Sequence, residues 1–383
     1  MKKPVNSVNV MHLSAYLAIG GASRSLINLL KTFYYMDDVN SRLFVLSDDI
    51  AEPHRQTLEH QNIGFDYLNK QEMASKWLTL KKLLKTIKTH NIHIIHCDSL
   101  LPKKWSIILK TLMPGLKLVY TVRDTNIMNR SSAISKLAGN VFFNTHTAIS
   151  QAVYDECVEC KLKNVRKIYN GINIKDYLSE PRKTEDSSCL KIINVSRIDY
   201  PKKGQDVLIK ALGECHKRGI NFECLIVGSV GGDPTDKKEN QYEKNRIKFE
   251  EYKQMIKELG IEDKVHFLGN RDDVPELLTQ NDIFILSSRT EGFGLVIIEA
   301  MAAGLPVISS NIDGPGELIT HNENGLLFEN ENHVDLADKI QYLNNNRQRM
   351  YEIAKTGNEF SKNFDIKVVC KNFLNLYREI LNS

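Results

Sequence analysis

The 383-residue chain contains no run of eighteen apolar residues, so it carries no candidate for a membrane-spanning helix. Its seven cysteines, at 97, 157, 160, 189, 215, 224 and 370, are odd in number and scattered. Cys157 and Cys160 form one Cys-x-x-Cys pair, but no second pair completes a zinc site, and nothing resembles a disulfide framework. Reduced cysteines in a cytoplasmic protein are the expectation. The start, Met1 to Ser7, runs quickly into a polar-broken strand and does not read as a secretory signal. Neither a G-x-G-x-x-G nor an Asp-x-Asp sequence occurs anywhere. Acidic residues are scarce in the first half. Residues 1–180 hold 24 Lys and Arg against 15 Asp and Glu, whereas the remainder holds 27 against 32. A basic first half fits an anionic partner: a membrane surface, a phosphorylated lipid or nucleic acid.

What is present is α/β alternation, twice over. Val8 to Leu13, Arg42 to Leu46, His93 to His96, Leu118 to Val122 and Thr147 to Ile149 read as strands separated by helical stretches, the first helix running from Ser23 to Phe33. The pattern breaks in the polar run 179–188 and then restarts. Leu190 to Val195, Phe222 to Val227, Val265 to Leu268, Asp282 to Leu286 and Pro306 to Ser309 form the second set. The expectation is two Rossmann-like domains, residues 1–180 and 189–365, with a final helix over 366–383 packing back toward the first. Between Gly231 and Arg246 a polar, charge-dense insertion reads as a mobile loop.

Chemistry concentrates in Glu291-Gly292-Phe293-Gly294-Leu295 and the helix that follows it, closed by Gly304 and Pro306. A buried strand, a glycine turn and a helix present backbone N–H groups and a positive dipole end to an anion such as a diphosphate. Glu291 falls in the loop at the strand's carboxyl end, where open α/β sheets bind ligands, and Glu299 lies one turn into the helix. Packing explains the apolar residues of this stretch but not a glutamate in a glycine turn. Ser196-Arg197 and Lys203-Gly204 end the first strand of the second domain, where Arg and Lys suit a diphosphate; a solvated basic loop is the plainer alternative. Gly228, with Gly269, Asn270 and Arg271, marks two strand ends whose glycines leave room for a flat base. In the first half Gly20-Gly21 opens the first helix, with Ser23 available as a cap, and a mere tight turn explains it as well. His12 and His96, near strand ends, are read as structural.

Taken together, Gly20-Gly21, Asn170-Gly171, Ser196-Arg197 with Lys203-Gly204, and Glu291-Gly292-Phe293-Gly294 with Glu299 resemble the retaining nucleotide-sugar glycosyltransferases of family 4, which have the GT-B fold of two Rossmann-like domains facing across a cleft. The resemblance runs over nearly the whole chain, and the two glutamates eight positions apart are its most specific part. It implies that Arg197 and Lys203 hold the diphosphate of a UDP- or GDP-sugar, and that Glu291 contacts sugar hydroxyls near the reacting carbon. It further implies that Glu299 takes the ribose hydroxyls, that amides of Phe293, Gly294 and Leu295 line sugar and phosphate, and that Gly21 meets the phosphates from the other domain. Many members carry a His-Asp pair where this chain reads Arg123-Asp124; these two are expected near the sugar or acceptor, but a histidine role does not transfer. The absence of Asp-x-Asp leaves the metal-bound donor site of the other main transferase fold unsupported, so neither metal nor other cofactor is expected.

The implied partners are a nucleotide-sugar donor and a glycan or lipid-linked acceptor, with bacterial surface polysaccharide as the setting and no nucleic acid, for which no recognisable module exists. Rival readings are a nucleotide-sugar 2-epimerase or a phosphorylase of the same architecture, and a non-catalytic sugar-nucleotide-binding protein. For membrane docking two segments stand out. Lys76 to His90 places Trp77, Leu80, Leu84 and Ile87 on one face, and Leu100 to Trp105 is a basic-aromatic cluster. Both are also compatible with ordinary packing on the sheet.

Overall fold

The computed structural model describes residues 7–18, 20–181, 189–231 and 240–383. The chain forms two compact units, residues 1–173 with 364–383, and residues 174–363. Each is a parallel sheet covered by helices, so both are Rossmann-like α/β units.

In the first unit the strands are β1 (Val8–Ser14), β2 (Val39–Val45), β3 (Phe65–Tyr67), β4 (Ile94–Cys97), β5 (Lys117–Val122), β6 (Thr145–Ala148) and β7 (Val165–Lys167). They lie in the order β3-β2-β1-β4-β5-β6-β7, every neighbouring pair parallel. Central strands read as unbroken apolar runs because both faces are covered: Ile94 to Cys97 is buried throughout. The edge strands β3 and β7 are three residues each and carry no such run, which is why they escape a sequence reading. Strand order reverses between β1 and β4, so the loops after these two strands diverge and leave a crevice at their carboxyl ends.

The second unit holds β8 (Leu190–Val195), β9 (Phe222–Val227), β10 (Val265–Gly269), β11 (Ile283–Leu286), β12 (Val307–Ser310) and β13 (Leu326–Phe328), in the order β10-β9-β8-β11-β12-β13. Here the reversal falls between β8 and β11. Its core packs Ile192, Ile226, Ile283 and Ile285 of the sheet against Leu208, Leu212, Leu336 and Ile340 of covering helices.

The last helix, Ile366–Asn382, buries Ile366, Val369, Cys370, Phe373, Tyr377 and Ile380 along one stripe, against Val10, Leu29, Phe33 and Val119 of the first unit. A hydrogen-bonded chain reinforces this contact. Tyr377 Oη lies 2.6 Å from His96 Nδ1, His96 Nε2 lies 2.6 Å from Thr121 Oγ1, and Thr121 Oγ1 lies 2.6 Å from Thr147 Oγ1. Isoleucine 172 and Asp365 bridge the same unit, Ile366 N donating to the Ile172 carbonyl.

Several local expectations change. The first helix spans Gly21–Tyr34 and is preceded by Gly20, with no side-chain cap, so Ser23 does not cap it. The first unit ends at Asn173, ahead of the polar stretch, because Tyr177 and Leu178 complete a turn on Ile174 and Ser179 N donates to the Ala302 carbonyl of the second unit. Residues 182–188 of that stretch lie outside the described residues. The expected loop 231–246 is partly helix: Gln241–Glu258 is helical, Asn245 is fully buried, and 232–239 lie outside the described residues. Helix Lys76–Thr89 buries Thr79, Leu83, Thr86 and Ile87, which turns Trp77 outward at 70% exposed. All seven cysteines are free.

Three histidines of the first unit are buried and held neutral. Burial, assisted by the charge of Arg123, lowers His12 to about 3. Burial also lowers His96 well below its ordinary value and His146 to about 4. All three folded values lie below the unfolded value of about 6.5, so their contribution to stability is complete above that pH and is lost as pH falls toward the folded values. The melting temperature of the first unit is expected to drop steadily from about pH 6.5 down to about pH 4, with proton uptake on unfolding. A Tm that holds constant over this range would show that these sites do not protonate on unfolding.

Candidate functional site

The loops that leave β8 and β11 flank the switch point of the second sheet, and the site grows from how they are fastened. Asn194, fully buried near the end of β8, donates to the Ile285 carbonyl at 2.8 Å and accepts from Ser196 Oγ at 2.8 Å. Gln205 Nε2 donates to Ser196 Oγ at 3.0 Å and to the Arg197 carbonyl at 2.8 Å. These bonds fix the backbone of Ser196 and Arg197 and leave the Arg197 side chain exposed, with no ion pair or hydrogen bond among the described residues.

Lys203 and Glu291 are brought together. The Lys203 ammonium donates to Glu291 Oε2 at 2.5 Å, with the two side chains only 15% and 19% exposed. This proximity depends on backbone packing. Gly204, in the left-handed conformation (φ 62°), sits so close to the Ser287 carbonyl that a Cβ there would lie 2.0 Å from its oxygen. On the other side Gly314 backs onto the glycine turn, where a Cβ would come within 2.7 Å of Phe293 N and Cα and 2.8 Å of the Glu291 carbonyl oxygen. Both loops are therefore held at contact distance by positions that admit no side chain.

Arg289 adds an ionic clamp that sequence reasoning missed. Its guanidinium forms a two-point pair with Asp206 at 2.9 and 2.7 Å, donates to the Pro201 carbonyl at 2.9 Å, and pairs with Glu331. The Arg289 amide donates to the Lys202 carbonyl at 2.8 Å. Burial pushes the Asp206 carboxyl up, but hydrogen bonds from Arg289 outweigh it and hold the group below the usual carboxylate range. No local signal marks the pair, because Asp206 and Arg289 stand 83 residues apart in sequence. Asn245 was missed as well. It accepts from Tyr200 N at 2.9 Å and donates to the Gly231 carbonyl at 2.9 Å, steadying the loop from the side of the helix Gln241–Glu258.

Helix Leu295–Ala302 starts at Gly294 (φ 94°), with no side-chain cap and no acidic residue in its first turn, so its positive end is not neutralised from within. Phe293 is buried against the turn, and Glu299 is buried at 2% exposed. The Gly304 amide donates to the Met301 carbonyl and closes the helix. Gly228 ends β9, its Cα facing the Ser196 carbonyl, so close backbone packing already accounts for this glycine. Asn270 and Arg271 are exposed beyond β10, and Arg271 pairs with Asp273. Among the described residues no cluster of three or more His, Cys, Asp or Glu side chains is arranged to hold a metal ion.

In the first unit the loops after β1 and β4 border a depression lined by Tyr16, Ala22, Ser23, Asp98, Ser99 and Arg123. Gly21 is exposed at its helix start. Arg123 pairs with Asp98 at 2.7 Å, each side chain 16% exposed, and Asp124 Oδ1 accepts from Thr125 N at 3.0 Å. Asn170 Oδ1 accepts from Ser25 Oγ at 3.1 Å. His12 Nε2 is buried without a hydrogen-bond partner among the described residues and lines an adjoining pocket.

Two α/β units with ligand-ready loops at both switch points define the GT-B architecture. The family model described as glycosyltransferase family 4 matches residues 19–176, and that of glycosyl transferases group 1 matches residues 179–360. An uncharacterized glycosyltransferase of Methanocaldococcus jannaschii is 25% identical over 95% of this chain and 96% of its own. The N-acetyl-alpha-D-glucosaminyl L-malate synthase of Bacillus anthracis is 29% identical over 68% of each. Among solved structures, Anabaena HepE in complex with UDP superposes with a TM-score of 0.82 at 24% identity, covering 97% of this chain and all of that one, which shows the fold. The chain belongs to the family 4 glycosyltransferases of GT-B fold, and it is a glycosyltransferase.

The packing at Gly204 is directly testable. Gly219 also has a positive φ (73°), but the space beside it is open. Gly219→Ala is expected to cost only the backbone strain of about 1 kcal/mol, whereas Gly204→Ala adds a backbone clash and costs about 2 kcal/mol or more. Thermal unfolding of the two variants makes the comparison, and equal Tm losses would show that the close approach to Ser287 is not a constraint.

Proposed function

We propose that this enzyme moves a sugar from a UDP- or GDP-sugar to a glycan or lipid-linked acceptor with retention of anomeric configuration and without a metal ion. The observation that carries this reading is the Lys203–Glu291 pair, with an exposed, unpartnered Arg197 on the same loop as Lys203 and an uncapped helix N-terminus following the loop of Glu291. Two cations and a row of backbone N–H groups suit a diphosphate, whose charge grows as the bond to the sugar breaks. The sugar carbon gains oxocarbenium character in the same step, and the electrostatic stabilisation of both charges is the main catalytic term such a site can supply.

In this reading the diphosphate draws Lys203 away from Glu291. The freed Glu291 carboxylate then accepts hydrogen bonds from sugar hydroxyls near the reacting carbon. Arg197, on the same loop as Lys203, reaches the phosphates as well. Glu299 takes the ribose hydroxyls, and backbone at Gly228 and Asn270 borders the base, with Arg271 released from Asp273. The amides of Phe293, Gly294 and Leu295 line sugar and phosphate. Gly21 contributes close backbone to the donor phosphates, and Arg123 with Asp124 contributes to the acceptor side. UDP in the HepE structure supports a uridine donor in a protein of this fold. Assembly of a bacterial surface polysaccharide is the setting we favour, on the motif resemblance alone.

Calorimetric titration with UDP and GDP is expected to show one of them binding. Arg197→Ala and Lys203→Ala should each weaken it about 10- to 100-fold, the equivalent of one charge-assisted hydrogen bond. Product from a matched donor should keep the donor's anomeric configuration by NMR, and turnover should persist in EDTA. Inverted product, or activity lost in EDTA and restored by manganese, would contradict this reading.

A further inference from the structure

Helix Ala133–Phe142 of the first unit is apolar in composition, yet Gly139 is its only buried residue. Ile134, Leu137 and Val141, at i, i+3 and i+7, stand 80%, 65% and 67% exposed along one stripe. This inverts the usual arrangement, in which the apolar stripe of a helix faces the core. Its neighbour, Leu100–Leu112, behaves similarly. Leu101, Ile108 and Leu112 are 48%, 42% and 53% exposed. The two helices touch, because Lys103, buried at 3% exposure, reaches across to the Ser135 carbonyl at 3.2 Å. The exposed residues therefore belong to adjoining elements rather than to scattered positions.

Charge identifies the occupant. From residue 99 to residue 154 the chain carries seven Lys and Arg and a single acid, Asp124, and residues 155 to 163 add two lysines and three acids, of which Glu156 is buried. Of the seven, Lys103 is turned inward and Arg123 is paired with Asp98, but Lys104 and Arg130 are exposed and Lys136 lies on the apolar helix itself. Lys161 and Lys163 flank the same helix, both exposed, with Asn140 donating to the Lys161 carbonyl and accepting from Lys163 N. A second copy of this face would bring like charges together. Apolar side chains rimmed by cations suit an interface whose surface is anionic and whose interior is hydrocarbon.

We infer that the adjoining faces of Leu100–Leu112 and Ala133–Phe142 dock on a lipid bilayer bearing anionic headgroups, with Ile134, Leu137 and Val141 entering the headgroup boundary. The helix lies in the plane of the interface and does not cross it; among the described residues no helix is long and apolar enough to span a membrane. The inference does not rest on the proposed donor chemistry, since none of these residues belongs to the second unit.

The test is co-sedimentation of the full chain with vesicles of phosphatidylcholine alone and of phosphatidylcholine mixed with phosphatidylglycerol. Wild type is expected to bind the mixed vesicles, to bind the neutral ones at least about ten-fold more weakly, and to be released by salt. The variant Ile134→Ser/Leu137→Ser/Val141→Ser should lose binding about ten-fold or more while keeping its Tm and its affinity for the nucleotide, because these side chains make little core contact. The variant Lys104→Ser/Lys136→Ser should lose the preference for anionic lipid. No binding by wild type, binding unchanged in the triple variant, or a lipid-free dimer by light scattering that the triple variant abolishes would each overturn the inference.

Discussion

The second unit depends on one constraint, the contact between the Lys202-Lys203-Gly204 turn and the Ser287–Arg289 backbone. Gly204 rests on the Ser287 carbonyl, and Arg289 ties both ends of the contact through the Lys202 and Pro201 carbonyls and Asp206. Only with these in place can Lys203 and Glu291, one from the loop after β8 and one from the loop after β11, meet at hydrogen-bond distance. The switch point of the sheet opens the space, and the clamp decides which side chains face it. Arg289 is suited to this task because its planar fork engages a carboxylate at two points and a carbonyl at the same time, which a lysine cannot do.

A nearly dry ion pair of this kind is a poor source of stability, since taking two charges out of water offsets much of their attraction. Its value lies elsewhere. Each partner holds the other in position, so an arriving anion meets a lysine already held in place. The first unit uses a different device. There the buried chain from Tyr377 through His96 to Thr121 and Thr147 fastens the C-terminal helix to the sheet, with the histidine kept neutral by burial.

Much of this was legible in the chain. Long, doubly covered strands such as Leu190–Val195 and Phe222–Val227 announce themselves as apolar runs, and their limits agree with the sequence reading. Phe65–Tyr67 and Val165–Lys167 do not, because a three-residue edge strand is specified by its neighbours rather than by its own residues. The Lys203, Glu291 and Glu299 positions stood out by type and setting. Arg289 and Asp206 did not, since a salt bridge 83 residues apart in sequence is visible only once the loops are folded. Trp77 shows the same limit: helical spacing identifies a stripe but not the direction it faces.

The measurement that bears most directly on the central claim is a double-mutant cycle between Lys203 and Glu291, read in kcat/KM for a matched nucleotide-sugar. If the two act as one clamp, Lys203→Met and Glu291→Gln will each remove most of the activity, and the double variant will lose little more than the worse single one, a coupling of about 1 kcal/mol or more. Losses that simply multiply would show that the two side chains act independently and that their contact is incidental to transfer.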